Sequence, residues 1–291
     1  KVFRRNGSLF LACSFGDAWT AIYRFDGYVA VPAAMFSKQP SRDFPPNNPI
    51  TNSAWMWVDK NGDGDFQADE FDAITERSLG VFRAQFVDDD GTYWLGELNP
   101  AVVHRFPLET ITKQGVPVYS TKSSTTTDLS KLTPDIQELR DIKYLPASDS
   151  LFAVVYSQAN PKSKEWCPMG REVRRYDGFS KEPKLGLAFA IPYDDDKRIW
   201  PISMAVAGEY VFIAFMQGGD ASHKLGEIYV YSAKDGTLAG AIRPTDEVGR
   251  HSGWIDFQTG ALNARLRDDG TYVVLAEEDA RAKVLYYQWK P

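Results

Sequence analysis

The sequence predicts an all-β fold, and three observations predict it. Long helical periodicity is nearly absent. Short β-branched and aromatic runs dominate, bounded by Asp-Gly, Asn-Gly and Pro. Aromatic residues reach 13% of the 291-residue chain, which suits side chains packed between sheets.

The strand signals recur as a loose unit: an apolar strand, a loop, then a strand ending in an aromatic and a turn. The first copy joins Ser8–Ala12 to Ala21–Gly27, and the second joins Gly91–Leu95 to Val102–Phe106. The third joins Ser150–Val155 to Glu172–Gly178, and the fourth joins Glu209–Ala214 to Glu227–Tyr231. The last joins Gly270–Leu275 to Ala282–Tyr287. Copies lie roughly 50 to 80 residues apart, a spacing that fits propeller blades carrying long loops. A further unit is inferred to start at Ala54–Val58, which predicts one β-propeller domain over 1–291 with six blades. A pair of β-sandwiches is the architectural alternative. The short helical candidates are Gln67–Glu76 and Thr133–Arg140. Three segments read as long loops: Ser37–Thr51 with four prolines, the Ser/Thr-rich Ser120–Ser130, and Gln158–Gly170.

Net charge is −6, so the chain lacks the basic stripe that nucleic acid requires, and it matches anionic membranes poorly. No apolar run reaches the ~18 residues of a membrane span. Cys13 and Cys167 are either two free thiols or one disulfide. The chain starts without Met, within what reads as a strand over Val2–Phe10, which predicts a piece of a longer protein. Asn6-Gly7-Ser8 fits the N-glycosylation pattern.

One segment carries defined chemistry. Asp59–Glu70 matches a twelve-residue EF-hand-type calcium loop set on a β-scaffold, with Ala54–Val58 entering it as a strand and a short helix expected after it. Ca²⁺ is a hard cation that takes six to eight oxygens, and alternate positions of a tight loop can point at one centre. Asp59, Asn61 and Asp63 supply side-chain oxygens, Asp65 its carbonyl, Gln67 a bridged water, and Glu70 a closing carboxylate. Gly64 stands where the loop turns sharply.

Other chemistry is thin. The three histidines, His104, His223 and His251, have no zinc spacing, and Ser252 beside His251 is no nucleophile elbow. No residue is assigned a catalytic role. Asp88–Asp90 and Asp194–Asp196 read as solvated acidic turns. Arg140, Asp141, His251, Trp254 and Asp256 form a candidate ligand surface, with an Arg–Asp ion pair and a core Trp as the plainer reading.

The phrases Tyr23–Gly27, Trp57–Gly64, Asp90–Tyr119 with its Gly115–Tyr119, Met204–Phe212, Gly253–Asp256 and Ala276–Asp279 resemble uncharacterised bacterial NHL-like β-propeller proteins, parts of exported or cell-surface chains. The resemblance implies a propeller, a calcium site and an extracellular or cell-surface location, and no established reaction. The reading that follows is a calcium-stabilised binding or scaffold module. Its partner would be a protein, a glycan or another domain of the same chain. Trp94, Trp166, Trp200 and Trp254 are candidate sugar-stacking surfaces. The alternatives are a hydrolase or lyase acting on sugars or lactones at the funnel mouth, and an oligomeric component of a surface filament.

Overall fold

The computed structural model describes residues 1–15, 18–40, 44–75, 79, 84–162, 169–194, 196–197, 199–216, 226–245, 260–278 and 283–291. The chain divides into two compact units, Lys1–Asp128 and Leu129–Pro291.

The first unit opens with a six-stranded antiparallel sheet. Its strands are β1 (Val2–Arg5), β2 (Ser8–Phe15), β3 (Trp19–Asp26), β4 (Val29–Ser37), β5 (Trp55–Val58) and β6 (Phe71–Ala73), in sequence order. The strand expected over Val2–Phe10 is instead a hairpin, β1 against β2, turned at Asn6 and Gly7 with φ of 48° and 82°. Two successive positive-φ residues are what a tight hairpin turn asks of an Asn-Gly pair.

The same unit continues with β7 (Gln85–Val87), β8 (Tyr93–Glu97), β9 (Val102–Phe106), a small hairpin of β10 (Thr110–Ile111) and β11 (Pro117–Val118), and β12 (Thr125–Asp128). β12, β9, β8 and β7 form a four-stranded sheet in that order. Phe36 of β4 stacks on Tyr93 of β8 with ring centroids 4.1 Å apart, and Tyr119 meets Phe36 edge-on at 5.1 Å. β5 shows why its sequence is apolar at every position. Met56 and Val58 join the core shared with these rings, while Trp55 and Trp57 pack on the opposite face with Met35 and Phe71. A strand covered on both faces loses the alternation of a half-buried one.

The second unit begins with the short helix α1 (Leu129–Leu132). A four-stranded meander follows, β13 (Ile136–Leu145), β14 (Ser150–Ser157), β15 (Glu172–Asp177) and β16 (Lys184–Ala190). The next meander is β17 (Trp200–Ala207), β18 (Tyr210–Met216), β19 (Glu227–Ser232) and β20 (Leu238–Ile242). The last sheet is β21 (Leu262–Leu266), β22 (Tyr272–Glu278) and β23 (Lys283–Trp289). Every residue of β14 is buried.

These are the blades of an all-β propeller, and the described residues form five of them, not the expected six. The segment expected to found the sixth, Ala54–Val58, supplies β5, which pairs with β4 through Ala34↔Val58 and Ser37↔Trp55. The proline-rich loop returns the chain to the edge it left, so the first sheet grows instead of a new one starting.

Both helical expectations fail. After the Asp59–Glu70 loop there is a single 3₁₀ turn at Ala68–Glu70, and β6 follows at once. Cross-strand pairing of Trp57 with Phe71 holds that residue in the sheet. Within 133–140, Ile136 already begins β13, because pairing with β14 outweighs local helical preference.

Candidate metal centre

The loop leaves β5 at Asp59, whose backbone N–H donates to the Ala33 carbonyl at 3.1 Å. Asp59 is fully buried and faces back into its own loop. Its Oδ1 accepts from the N–H of Gly62 at 2.7 Å, and its Oδ2 from that of Gly64 at 3.1 Å. Asn61 Oδ1 accepts from Asp63 N–H at 2.9 Å, and Asp63 Oδ1 from Asp65 N–H at 2.8 Å. Asp63 Oδ2 accepts from the amides of Asn61 and Gln67, both at 2.9 Å.

Glu70 closes the loop from the 3₁₀ turn. Its Oε1 accepts from Lys60 N–H at 2.7 Å, and its Oε2 from the Trp57 indole N–H at 2.9 Å. Phe66 anchors the loop from below, 4.4 Å from the Trp57 ring and 5.7 Å from Phe44. Arg24 of β3 donates from Nη2 to the Gly62 carbonyl at 2.7 Å. Gly64 has φ of +82°, and a Cβ there would stand 2.6 Å from Val31 Cγ1. The glycine is required by both conformation and space.

The electrostatics are those of buried acids held close together. Burial pushes the Asp59 carboxyl above its ordinary value, and the charge of Glu70 pushes the same way. The Gly62 and Gly64 N–H groups and the Arg24 charge pull it back. The exposed Asp63 lies below its ordinary value, chiefly through the Asp65 N–H.

The donor set is all oxygen, which suits a hard divalent cation. The buried Gln67 Oε1 has no hydrogen-bond partner, an orphan acceptor inside the loop. On the other side, no three His, Cys, Asp or Glu side chains converge as a metal-binding group among the described residues. The structure therefore shows no EF-hand. A strand enters the loop, one 3₁₀ turn and a strand leave it, and the carboxylates are spent on backbone N–H groups. Asp59, Asn61, Asp63, Asp65 and Glu70 all stand in this loop, with the side-chain oxygens of Asp59, Asn61, Asp63 and Glu70 taken by hydrogen bonds within it.

The second candidate surface resolves differently. Arg140 pairs with Glu138 at 3.2 Å and lies over the Tyr156 ring at 5.9 Å. Asp141 is fully buried and pairs with Lys143 at 2.7 Å. Burial raises its carboxyl, and Lys143 pulls it back. His251, Trp254 and Asp256 lie outside the described residues, as do Trp166 and Cys167, while Cys13 is a free thiol on β2. Trp94 and Trp200 are core residues, 0% and 8% exposed, and present no stacking face to a sugar.

Some polar clusters escaped the sequence reading. Asp88, expected in a solvated turn, is buried and accepts from Asp90 N–H, Thr92 N–H and the Trp94 indole at 2.9, 2.9 and 2.8 Å. Burial pushes its carboxyl up to about 6. The Asp-x-x-Gly-Thr-x-Trp spacing was its signal. Glu97, His104 and Thr126 form a chain across three strands, at 2.7 and 3.1 Å. Cross-strand placement made it, and no sequence spacing announces it.

Neither a family model nor a curated protein matches the chain. Among solved structures it is similar to a glucose dehydrogenase at 11% identity, over 94% of this chain and 77% of that one, with a TM-score of 0.36. It is also similar to a europium-containing methanol dehydrogenase at 13% identity, with a TM-score of 0.29 over 56% of this chain. The chain spans 25% of that dehydrogenase. At these scores the likenesses assign no substrate and no reaction.

Proposed function

We propose that the chain is a calcium-stabilised, extracellular propeller module that binds a protein, a glycan or another domain of its own chain. The observation that carries this reading is the loop itself: two buried carboxylates, Asp59 and Glu70, beside the orphan Gln67 Oε1 in an all-oxygen turn. Side chains of Asp59, Asn61, Asp63 and Glu70, with the Asp65 carbonyl, would hold the ion, and Gln67 would reach it through water. The ion would supply the positive charge that the buried pair lacks, and small rotations would turn the carboxylates from N–H groups to metal.

The role is binding, not turnover. The loop joins β5 to β6, the outermost pair of the six-stranded sheet, where an ion would staple an edge. Exported modules meet calcium concentrations at which weak sites fill. The NHL-like resemblance supports the same location. Calorimetric titration of the chelator-treated chain tests the proposal. One Ca²⁺ per chain is expected, with Mg²⁺ much weaker because the loop offers a large, irregular oxygen shell. No calcium heat, or equal affinity for both ions, contradicts it.

A further inference from the structure

We infer that the groove beside the β3–β4 hairpin binds an acidic sugar, a uronate-bearing glycan, and binds it more tightly when calcium fills the Asp59–Glu70 loop. The inference rests on the calcium-module reading for its second half only.

The groove has a volume of about 490 Å³, within the usual range for small-ligand sites. Ser8 and Leu9 of β2 line it, with Arg24, Phe25 and Tyr28 of the hairpin and Gly115 opposite. Tyr28 stands at the tip with 104% relative exposure, and Phe25 is 37% exposed. A flat ring that packs on nothing, beside a cleft, offers its face to a sugar ring and its hydroxyl to a sugar hydroxyl. Phe25 brings a second, partly exposed ring to the lining. Where the buried Trp94 and Trp200 failed as stacking surfaces, these two rings are accessible.

Arg24 is the one charged side chain among these lining residues. Its Nη2 is held by the Gly62 carbonyl, while its Nε is buried and has no partner. With Nε shielded from solvent and Nη2 taken, Arg24 meets the groove as a positive charge, and a carboxylate is the group that answers such a charge. Aromatic faces with one guanidinium fit a flat ring bearing one carboxylate. They fit a flexible acidic peptide less well, since that would bring several charges and no ring.

The groove and the calcium loop share Arg24. Its charge reaches Asp59, and its hydrogen bond ends on the loop's Gly62. With the loop empty, the field of Asp59 and Glu70 opposes an anion at Arg24. A bound cation cancels that field and fixes the Gly62 carbonyl. Calcium and the sugar carboxylate must then help each other by the same factor, since coupling between sites is reciprocal.

The test is calorimetry of the chain with a tetrasaccharide of alternating glucuronate and N-acetylglucosamine. The comparison probes are the neutral N-acetylglucosamine tetramer and a tetraglutamate peptide. Each is titrated in calcium and in EGTA. The expected order puts the glucuronate sugar about tenfold or more ahead of both others. Tyr28→Ala and Arg24→Gln should each weaken it about tenfold, and Tyr28→Ala should leave the melting temperature unchanged, because its side chain touches nothing. Calcium should tighten the sugar severalfold in the parent chain and not in Asp59→Asn. Equal binding of charged and neutral sugars, preference for the peptide, or indifference to Tyr28→Ala overturns the sugar site. Sugar binding that is the same in calcium and EGTA overturns the coupling. If calcium stabilises the chain while no sugar binds, the groove fails and the calcium module stands. If the sugar binds and calcium does nothing to stability, the reverse holds.

Discussion

In the unit Leu129–Pro291 the buried Glu172 carboxylate accepts from Arg174 Nε at 2.6 Å, from Ser157 Oγ at 2.6 Å and from Asn160 Nδ2 at 3.0 Å. Arg174 then grips Asp135 with its two remaining nitrogens at 2.9 and 2.6 Å. In the unit Lys1–Asp128 the buried Asp59 and Glu70 face backbone N–H groups and each other's charge, with Arg24 reaching the loop only at a carbonyl. Around Glu172 the chain neutralises a buried acid with its own guanidinium. The Asp59–Glu70 loop instead meets its buried acids with backbone N–H groups and the Trp57 indole. If the loop holds calcium, as proposed, its stability depends on the surroundings in a way that the Glu172–Arg174 pair does not.

The largest effect is expected at Arg174. Arg174→Met should cost about 3–5 kcal/mol in urea unfolding, because Glu172 would remain buried without its charge partner. Adding Glu172→Gln should return most of that loss. A single variant close to the parent would mean that Glu172 is not held by Arg174.

A pH dependence at Asp88 comes next in size. Asp88 has its folded pKa raised to about 6 by burial. The folded chain thus holds a proton there that the unfolded chain releases near pH 4. This contribution is fully present below about pH 4 and is lost as pH rises through about 6, with a size on the order of 2–3 kcal/mol. Stability of the parent relative to Asp88→Asn, followed from pH 3.5 to 7.5 (about the span of both values), should fall across that window. Asp135 has the opposite sign. The Arg174 hydrogen bonds hold its carboxyl below the ordinary value, so its contribution is lost as pH falls. A Asp88 difference that does not change with pH would remove the buried-acid account of that turn.

Gly64→Ala gives the smallest effect. The residue has φ of +82°, and a methyl would meet Val31 Cγ1 at 2.6 Å, so a loss of about 1–2 kcal/mol is expected in EGTA. Val31→Ala in the same chain should restore the steric part alone. Full restoration would mean that the left-handed backbone costs alanine nothing there.

Much of the sheet structure was legible because buried strands announce themselves. Trp55–Val58, Ser150–Ser157 and Tyr210–Met216 are apolar at nearly every position and all are strands. What failed was connectivity. Nothing in Trp55–Val58 says whether it extends an existing sheet or begins another, since that depends on where the proline loop returns. Thr125–Asp128 lay in a stretch read as loop, yet it forms edge strand β12 against β9. An exposed edge needs no apolar alternation, so the strand preference of its threonines was the only signal. Spacing marked the oxygen-bearing residues of the loop, but it did not show that Asp59 and Glu70 turn to backbone N–H groups. The Arg174 network and the Tyr28 groove were not. They join residues from strands far apart in sequence, and only the pairing register brings those together.

The most direct measurement of the calcium account is thermal unfolding in excess Ca²⁺ and in EGTA, on the parent chain and on Glu70→Gln. Calcium at about 100 times its Kd should stabilise the parent by about 2.7 kcal/mol, seen as a clear rise in melting temperature. Glu70→Gln should lose that rise. Equal melting of the parent in calcium and EGTA would leave Asp59–Glu70 as an acidic turn satisfied by its own backbone, and would contradict the account.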